Sequence, residues 1–420
     1  MSGSREVVIT GLGVVCPLGV GQDALWAALD AGQSGVAQLT ELAGADTPFT
    51  IGGRLRGFDA KDFVQPRKTL KVMSGEIQAA YAAAMLAFKH AGIEKGSVAP
   101  ERLGVVLGSE LLYGELAELS DSARACVQQG EFHFDHWAPS AMKNLFPLWM
   151  LKYLPNMAAC HIGIALDARG PNNSIVEGGV SSLLALHEAA HVIERGHADV
   201  MLAGGSGSQV SFNALTFRDW KHLSRWRGDP TQACRPFDAT RDGAVLGEGA
   251  GAVVLELRER AERRGANILA RFGGGGSRIE PLRPELRQGT AIQGAINAAL
   301  REARVQPADI GCVIAAASGK LAEDALEARA IRATLGDAPV TAPKSFFGDL
   351  GAGSGMVELI AGVLALMHQR VPRTLNYQQP DSNCPINVVH GASLPIRSRA
   401  VATLNQSNTG LAAATVLLQP

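Results

Sequence analysis

The stretch Gly170-Pro171-Asn172-Asn173-Ser174-Ile175-Val176-Glu177-Gly178-Gly179-Val180-Ser181-Ser182 decides how this chain is read. It opens with a Gly-Pro turn, runs through a short strand to a glycine corner, and continues into an apolar helix over 183–193. A side chain at such a corner points out of the strand, and the helix N-terminus behind it favours negative charge. The residue at the corner, Gly179, supplies no side chain.

Around this corner, strand and helix patterns alternate. Residues 5–15 read as a buried strand, 22–30 as an amphipathic helix and 71–89 as a long interior helix, apolar on most faces. A strand follows at 102–109, then a largely helical insert at 110–160 whose apolar part, 145–157, reads as an interface or core cap. Residues 34–66 read as polar loop. Beyond the corner, 198–205 and 252–257 are strands flanking the loop 234–251.

The second half repeats this order. Strands fall at 268–272, 310–317 and 340–341, with helices at 290–303 and 326–335. A second glycine corner at 344–355 leads into the apolar helix 356–367, and strands at 399–404 and 414–418 close the chain. The repetition reads as an internal duplication, 1–257 (with the insert at about 110–160) and 258–420, of two α/β halves with mixed sheets covered by helices.

Composition narrows the function. The chain has 420 residues, 46% of them hydrophobic, enough for a large core. Lys plus Arg (39) nearly balance Asp plus Glu (40), so bulk charge points to no nucleic-acid partner. The N-terminus shows no signal-peptide pattern, and no run of about 18 apolar residues stands out as a membrane span. The expected location is the cytoplasm. The six cysteines are scattered without C-x-x-C pairing and read as reduced, buried thiols. Gly11, Gly13 and Gly19 lack the spacing and the following acidic residue of a dinucleotide fingerprint, so no cofactor is expected. His161, His187 and His191 read as packed or surface residues. His187 and His191 lie one helical turn apart, which formally suits a metal, but no acidic third ligand accompanies them in a zinc-like pattern and no metal site is expected.

Several motifs carry a resemblance. Arg235-Pro-Phe-Asp-Ala-Thr-Arg-Asp-Gly243 followed by Gly247-Glu-Gly-Ala-Gly251 resembles the signature loop of type I/II β-ketoacyl-acyl-carrier-protein synthases. So do Gly170-Pro-Asn172, Lys68-Thr-Leu-Lys-Val-Met73, Leu154-Pro-Asn-Met157 and Pro372-Arg-Thr-Leu-Asn376, and the similarity runs along the whole chain. The resemblance implies the five-layered αβαβα thiolase-like fold, a dimer, and an acyl carrier protein as partner. In that family a cysteine at the corner takes the acyl group and two histidines assist decarboxylation of malonyl-carrier protein. A lysine paired with a glutamate supports the site.

Carried over by position, the pattern breaks where the chemistry occurs. Gly179 stands at the cysteine, Ser318 at the first histidine (Ser318-Gly319-Lys320) and Asp349 at the second, while Lys344 is retained with Glu327 as its expected partner. Thr409 and Ala244 replace phenylalanines at pocket-gate positions, which is expected to open space. Glu177, Lys320, Lys344 and Asp349 are the candidate polar site residues, with Lys320 and Asp349 expected to form an ion pair in the old histidine space. Glu177 also reads as a salt-bridge or interface residue. Ser181 and Ser182 read as structural, capping the helix. Arg67, Lys68 and Lys71 match a basic segment that lies near the carrier-protein docking face in the family, and they also read as a solvated loop.

Three functions fit this pattern. The first is a non-condensing partner of a cysteine-bearing ketosynthase, resembling the chain-length factors. The second is an enzyme with altered chemistry on acyl- or malonyl-carrier protein, a decarboxylase or non-covalent acyl transferase. The third is a homodimeric module that binds acyl groups or carrier protein without reaction.

Overall fold

A computed structural model describes residues 5–40, 50–110, 114–210 and 220–420. Residues 41–49 of the expected 34–66 loop and residues 111–113 of the insert lie outside the described residues. The first half contributes strands β1 (Val7–Cys16), β2 (Leu103–Gly108), β3 (Asn172–Ile175), β4 (Val200–Ser208) and β5 (Glu248–Leu257). Its main helices are α1 (Gln22–Ala31), α2 (Gly75–His90), α3 (Met157–Leu166) and α4 (Ser181–Glu194). The second half contributes β6 (Ala270–Ile279), β7 (Ile310–Ile314), β8 (Pro339–Thr341), β9 (Ala400–Gln406) and β10 (Leu411–Leu418). Its helices are α5 (Thr290–Ala303), α6 (Leu321–Leu335) and α7 (Ser354–His368).

The duplication is visible in the pairing. The first half is ordered β1-β5-β4-β2-β3, with β1–β5 and β5–β4 antiparallel and β4–β2 and β2–β3 parallel. The second half is ordered β6-β10-β9-β7-β8 with the same sequence of antiparallel and parallel pairs. A short antiparallel contact, Val8 with Arg271 and Ile9 with Ala270, joins the two arrays. Helices α4 and α7, which follow β3 and β8, occupy equivalent places and fill the layer between the arrays. There Leu183, Leu186, Ile193, Leu359, Ile360 and Val363 share one core. Helices α2 and α3 cover the outer face of the first array, and α5 and α6 that of the second. The result is the thiolase-like αβαβα arrangement.

Close packing explains the early glycines. A Cβ on Gly11 would stand 2.2 Å from the Ala87 carbonyl oxygen, and one on Gly13 would stand 1.9 Å from that of Ala83. Glycine is required in β1 because the backbone of α2 lies directly on it, not because a nucleotide approaches. Helix α2 begins later than the pattern implies. Residues Arg67–Val72 form a separate 3-10 turn, and Ser74 caps α2 by accepting from the Ile77 N–H at 3.5 Å.

One expectation about membrane spans is corrected. Gly351–His368 is 18 residues long with a mean hydropathy of 1.4, long and apolar enough to cross a membrane by length and composition. It is nevertheless 89% buried inside the fold, where both faces of α7 meet sheets. A helix enclosed on all sides is apolar all round for the same reason a membrane helix is.

Gly13→Ala is expected to destabilise the protein by about 1–3 kcal/mol, because the added methyl meets helix backbone that cannot rotate away. Gly75→Ala, at the first turn of α2 where an added Cβ meets nothing within 4 Å, is expected to be neutral or mildly stabilising. Urea denaturation midpoints of the two variants provide the check.

Candidate functional site

The parallel strands end on one side of the molecule, and the segments that follow them enclose a cavity of about 380 Å³. Glu110 follows β2, Glu177 follows β3 and Gln209 follows β4. Ala316 and Ser318 follow β7, Lys344 follows β8, and Asn405 and Gln406 end β9. The carboxyl ends of parallel strands are where α/β sheets generally place their ligands. The volume is within the range of small-molecule pockets.

The corner itself is closed. Gly178 takes a left-handed conformation (φ 66°), and Gly179 begins the turn into α4. Ser181 secures this turn, its hydroxyl donating to the Gly178 carbonyl at 2.7 Å and accepting from the Glu177 N–H at 2.8 Å. The expected capping role is not observed: Ser181 ties the turn before α4, whose N-cap position, Val180, makes no side-chain cap, and the buried Ser182 hydroxyl has no hydrogen-bond partner. A Cβ on Gly179 would lie 2.8 Å from Asn405 Oδ1 and 2.9 Å from the Gln406 carbonyl oxygen. Those two atoms occupy the space into which a side chain would project.

Beneath the corner lies a buried charged network. Lys344 Nζ is 2.9 Å from Glu358 Oε1 and donates to the Ala316 carbonyl at 2.7 Å. Glu358, in the middle of α7 and fully buried, also accepts from Asn405 Nδ2 at 2.7 Å. This corrects the expected partner of Lys344: the ion pair is with Glu358. Glu327 instead accepts the N–H groups of Ala316 and Ala317, both at 2.8 Å. Glu327 lies on α6, in the outer layer, and its carboxylate serves the backbone at the end of β7.

Burial pushes the Glu358 carboxyl up to about 7, against the pull of Lys344 and Asn405. Burial likewise pushes Glu327 up to about 7, with the charge of Asp324 adding to it. Burial opposes the charge on Lys344, but Glu358 and Asp349 outweigh it and keep the lysine protonated.

The Lys320–Asp349 ion pair is not formed. Lys320 Nζ turns to Glu323 Oε1 at 3.1 Å and Asn408 Oδ1 at 3.4 Å. Asp349 Oδ1 accepts from the Gly351 N–H at 3.0 Å and the Ser354 hydroxyl at 3.1 Å, so it holds the entry to α7. Ser318 donates to Asp324 Oδ1 at 3.1 Å. All four candidate polar residues, Glu177, Lys320, Lys344 and Asp349, nevertheless line the same cavity, as do Gly179, Ser318 and Thr409.

Ala244 does not line it. It is buried against Leu39, Val210, Leu223 and Leu246, and the adjoining space is only about 10 Å³. The expected opening at this position is taken up by neighbouring aliphatic side chains. Arg67, Lys68 and Lys71 are exposed on the 3-10 turn before α2.

Two cavity residues were not singled out by sequence reading. Glu110 accepts from Gln209 Nε2 and from the Ala352 N–H, bridging the ends of β2 and β4 to the entry of α7. No motif marks either residue. The available signal was their position immediately beyond buried parallel strands.

None of the thiols with a resolved shift can act as a substitute nucleophile. Burial pushes Cys16, Cys234 and Cys384 up to about 12 and raises Cys312 further, far from the thiolate form. All six cysteines are free. His187 is buried, its Nε2 2.8 Å from Thr415 Oγ1, and burial lowers it to about 3. His191 does have acidic neighbours, contrary to expectation: Glu302 Oε1 at 3.1 Å and Glu194 Oε2 at 3.9 Å. His187 is committed to Thr415, whereas His191, Glu194 and Glu302 bring their ligand-type atoms within 4.8 Å of one another, so the acidic groups gather around His191 and not around the expected histidine pair.

Buried acids with raised values bind protons more tightly in the folded chain than in the unfolded one, so stability falls as pH rises through about 7. Buried His187, lowered in the folded state, acts oppositely and costs stability as pH falls below its ordinary value of 6.5. The two glutamates together outweigh the one histidine, so denaturant midpoints measured from pH 5 to 8 are expected to fall from about pH 5 to about pH 7 and to level off above that.

Residues 4–261 match the family model described as "Beta-ketoacyl synthase, N-terminal domain", and residues 275–378 match "Beta-ketoacyl synthase, C-terminal domain". The chain is 33% identical over 393 residues to 3-oxoacyl-(acyl-carrier-protein) synthase 2 of Coxiella burnetii, covering 92% of this chain and 91% of that one. It is 33% identical over 428 residues to the putative polyketide beta-ketoacyl synthase 1 of Streptomyces cyaneus, covering 99% of each. Among solved structures, the ishigamide ketosynthase/chain length factor superposes with a TM-score of 0.87 at 25% identity, covering all of both chains. With the fold, the strand-end cavity and the full-length similarity in agreement, this chain belongs to the β-ketoacyl synthase family of fatty acid and polyketide synthesis.

Proposed function

We propose that this chain is a non-condensing member of the family, acting as a chain-length-factor-like partner of a cysteine-bearing ketosynthase in the cytoplasm. One observation carries the reading: the corner residue is Gly179, and the space a side chain would need is held by Asn405 Oδ1 and the Gln406 carbonyl. A glycine cannot be acylated, and neither Ser318 nor Asp349 supplies the imidazole that the family's decarboxylation step uses. The lysines of the cavity are already engaged, Lys344 by Glu358 and Lys320 by Glu323. That arrangement favours a quiet site over altered chemistry on malonyl-carrier protein.

The partner surface we infer is the outer edge of the first array. Strand β3 ends the array with only β2 beside it, and Ile164, at 77% exposure, and Val176, at 39%, lie near it in the chain. An unpaired edge with apolar side chains is a template for a second chain. The similarity to a ketosynthase/chain length factor structure makes a related, cysteine-bearing chain the favoured occupant. Arg67, Lys68 and Lys71 offer a basic patch to an acidic carrier protein.

Native mass spectrometry of the protein isolated from its own cells is expected to show a one-to-one complex with a cysteine-bearing ketosynthase. The isolated chain is expected to form no 3-oxoacyl product from acyl- and malonyl-carrier protein. A homodimer with turnover of its own would sink the reading. Gly179→Cys is expected to remain unacylated by an acyl-carrier-protein donor in intact-mass measurements, because its side chain collides with the β9 terminus and lacks a histidine partner. Acylation of that variant at a rate comparable to a condensing relative would show the corner to be still competent.

A further inference from the structure

A cluster of ligand-type side chains lies outside the cavity, at the opposite end of α4 from the glycine corner. His191 and Glu194 occupy the last turn of α4, one turn apart on the same face. Glu302 comes from the last turn of α5 in the second half. His191 Nε2 is 3.1 Å from Glu302 Oε1 and 3.9 Å from Glu194 Oε2, and one such atom from each residue lies within 4.8 Å of the others. In the sequence this cluster is invisible, because Glu302 follows His191 by 111 residues.

Charge, orientation and geometry all suit a metal ion here. Even a protonated imidazole carries one positive charge against two carboxylates. Arg195, which also acts on Glu194, is turned to Glu188 Oε1 at 3.2 Å. Burial raises the Glu194 carboxyl, His191 lowers it, and the charge of Glu302 raises it again. The C-termini of α4 and α5 both end at the cluster, and helix C-termini favour a cation. Glu302 is also held in place: its Oε2 accepts from the Gly275 N–H of β6 at 2.9 Å, which leaves Oε1 directed at His191. Metal-binding carboxylates are commonly oriented by such an outer hydrogen bond. Tetrahedral zinc, with bonds of about 2.0–2.2 Å to nitrogen and oxygen, holds its ligand atoms about 3.3 Å apart. His191 and Glu302 already meet that spacing. Glu194, with 37% of its side chain exposed, has room to close the rest.

We propose that His191, Glu194 and Glu302 bind one zinc ion, with water completing the coordination. The ion pins the end of the central helix α4 to α5 in the outer layer, and through Glu302 to β6. Its role is structural, and it does not depend on the function proposed above.

The test uses the full, untagged chain freed of metal with a chelator. Isothermal titration with zinc chloride is expected to show one equivalent bound, and zinc is expected to raise the thermal unfolding midpoint. Cobalt(II) is expected to give the intense visible absorption of a four-coordinate site, bleached by added zinc. His191→Ala and Glu302→Gln should each weaken zinc binding about tenfold or more and remove the cobalt bands. Glu188→Gln, on the same helix but outside the cluster, should change neither. Unfolding of the metal-free variants shows whether they fold; should His191→Ala fail, Glu302→Gln, which keeps the side-chain shape, decides the matter. No zinc uptake, a weak six-coordinate cobalt spectrum, or uptake that survives Glu302→Gln would overturn the proposal. Each of these leaves the non-condensing role standing, because the cluster lies outside the cavity.

Discussion

The buried pair between Lys344 and Glu358 organises the centre of this protein. Glu358 lies in the middle of α7, enclosed by both sheets, where an unpaired carboxylate would be severely destabilising. Its neutralisation recruits Lys344 from beyond β8, and Lys344 in turn holds the Ala316 carbonyl at the end of β7. The other carboxylate oxygen fixes Asn405 at the end of β9. Three strand ends of the second half are thereby tied to the central helix. Asn405 then stands against the corner of the first half, so the same network that stabilises one half closes the space over Gly179 in the other.

The cavity inherits its character from this geometry. Each parallel strand delivers one or two residues at or past its carboxyl end, and here those residues are amides, a hydroxyl, acids, an alanine and the lysine Lys344. Three of the polar side chains at the cavity are already committed to hydrogen bonds or ion pairs. Ser318 is engaged by Asp324, Asp349 by the entry to α7, and Lys320 by Glu323.

Much of this was legible before the structure. The strand and helix order of both halves followed from apolar periodicity, and Gly179, Ser318 and Asp349, which the resemblance aligns with the family's cysteine and histidines, line one cavity. The partner of Lys344 was not legible. Glu327 and Glu358 each lie in a helix flanking the motif, and periodicity does not say which helix enters the centre with its carboxylate turned toward the lysine. The Lys320–Asp349 pairing failed for a related reason: opposite charges nearby in a motif alignment found closer partners, Glu323 one turn along and the backbone of the α7 entry. Ala244 was read as vacated space, yet Leu39, Val210, Leu223 and Leu246, remote in sequence, close around it.

Sequence alone determined the duplicated α/β architecture, the family, and the absence of a side chain at the corner, because each depends on local pattern or on residue identity. The tertiary structure decided which acid neutralises Lys344, that an added side chain at residue 179 would meet Asn405 and Gln406, and that Glu110 and Gln209 join the expected residues around one cavity. Those facts depend on which groups from distant strand ends are desolvated together. Hydrophobic periodicity assigns a residue to a buried face, but the pairing of polar groups is settled only when the layers close around them.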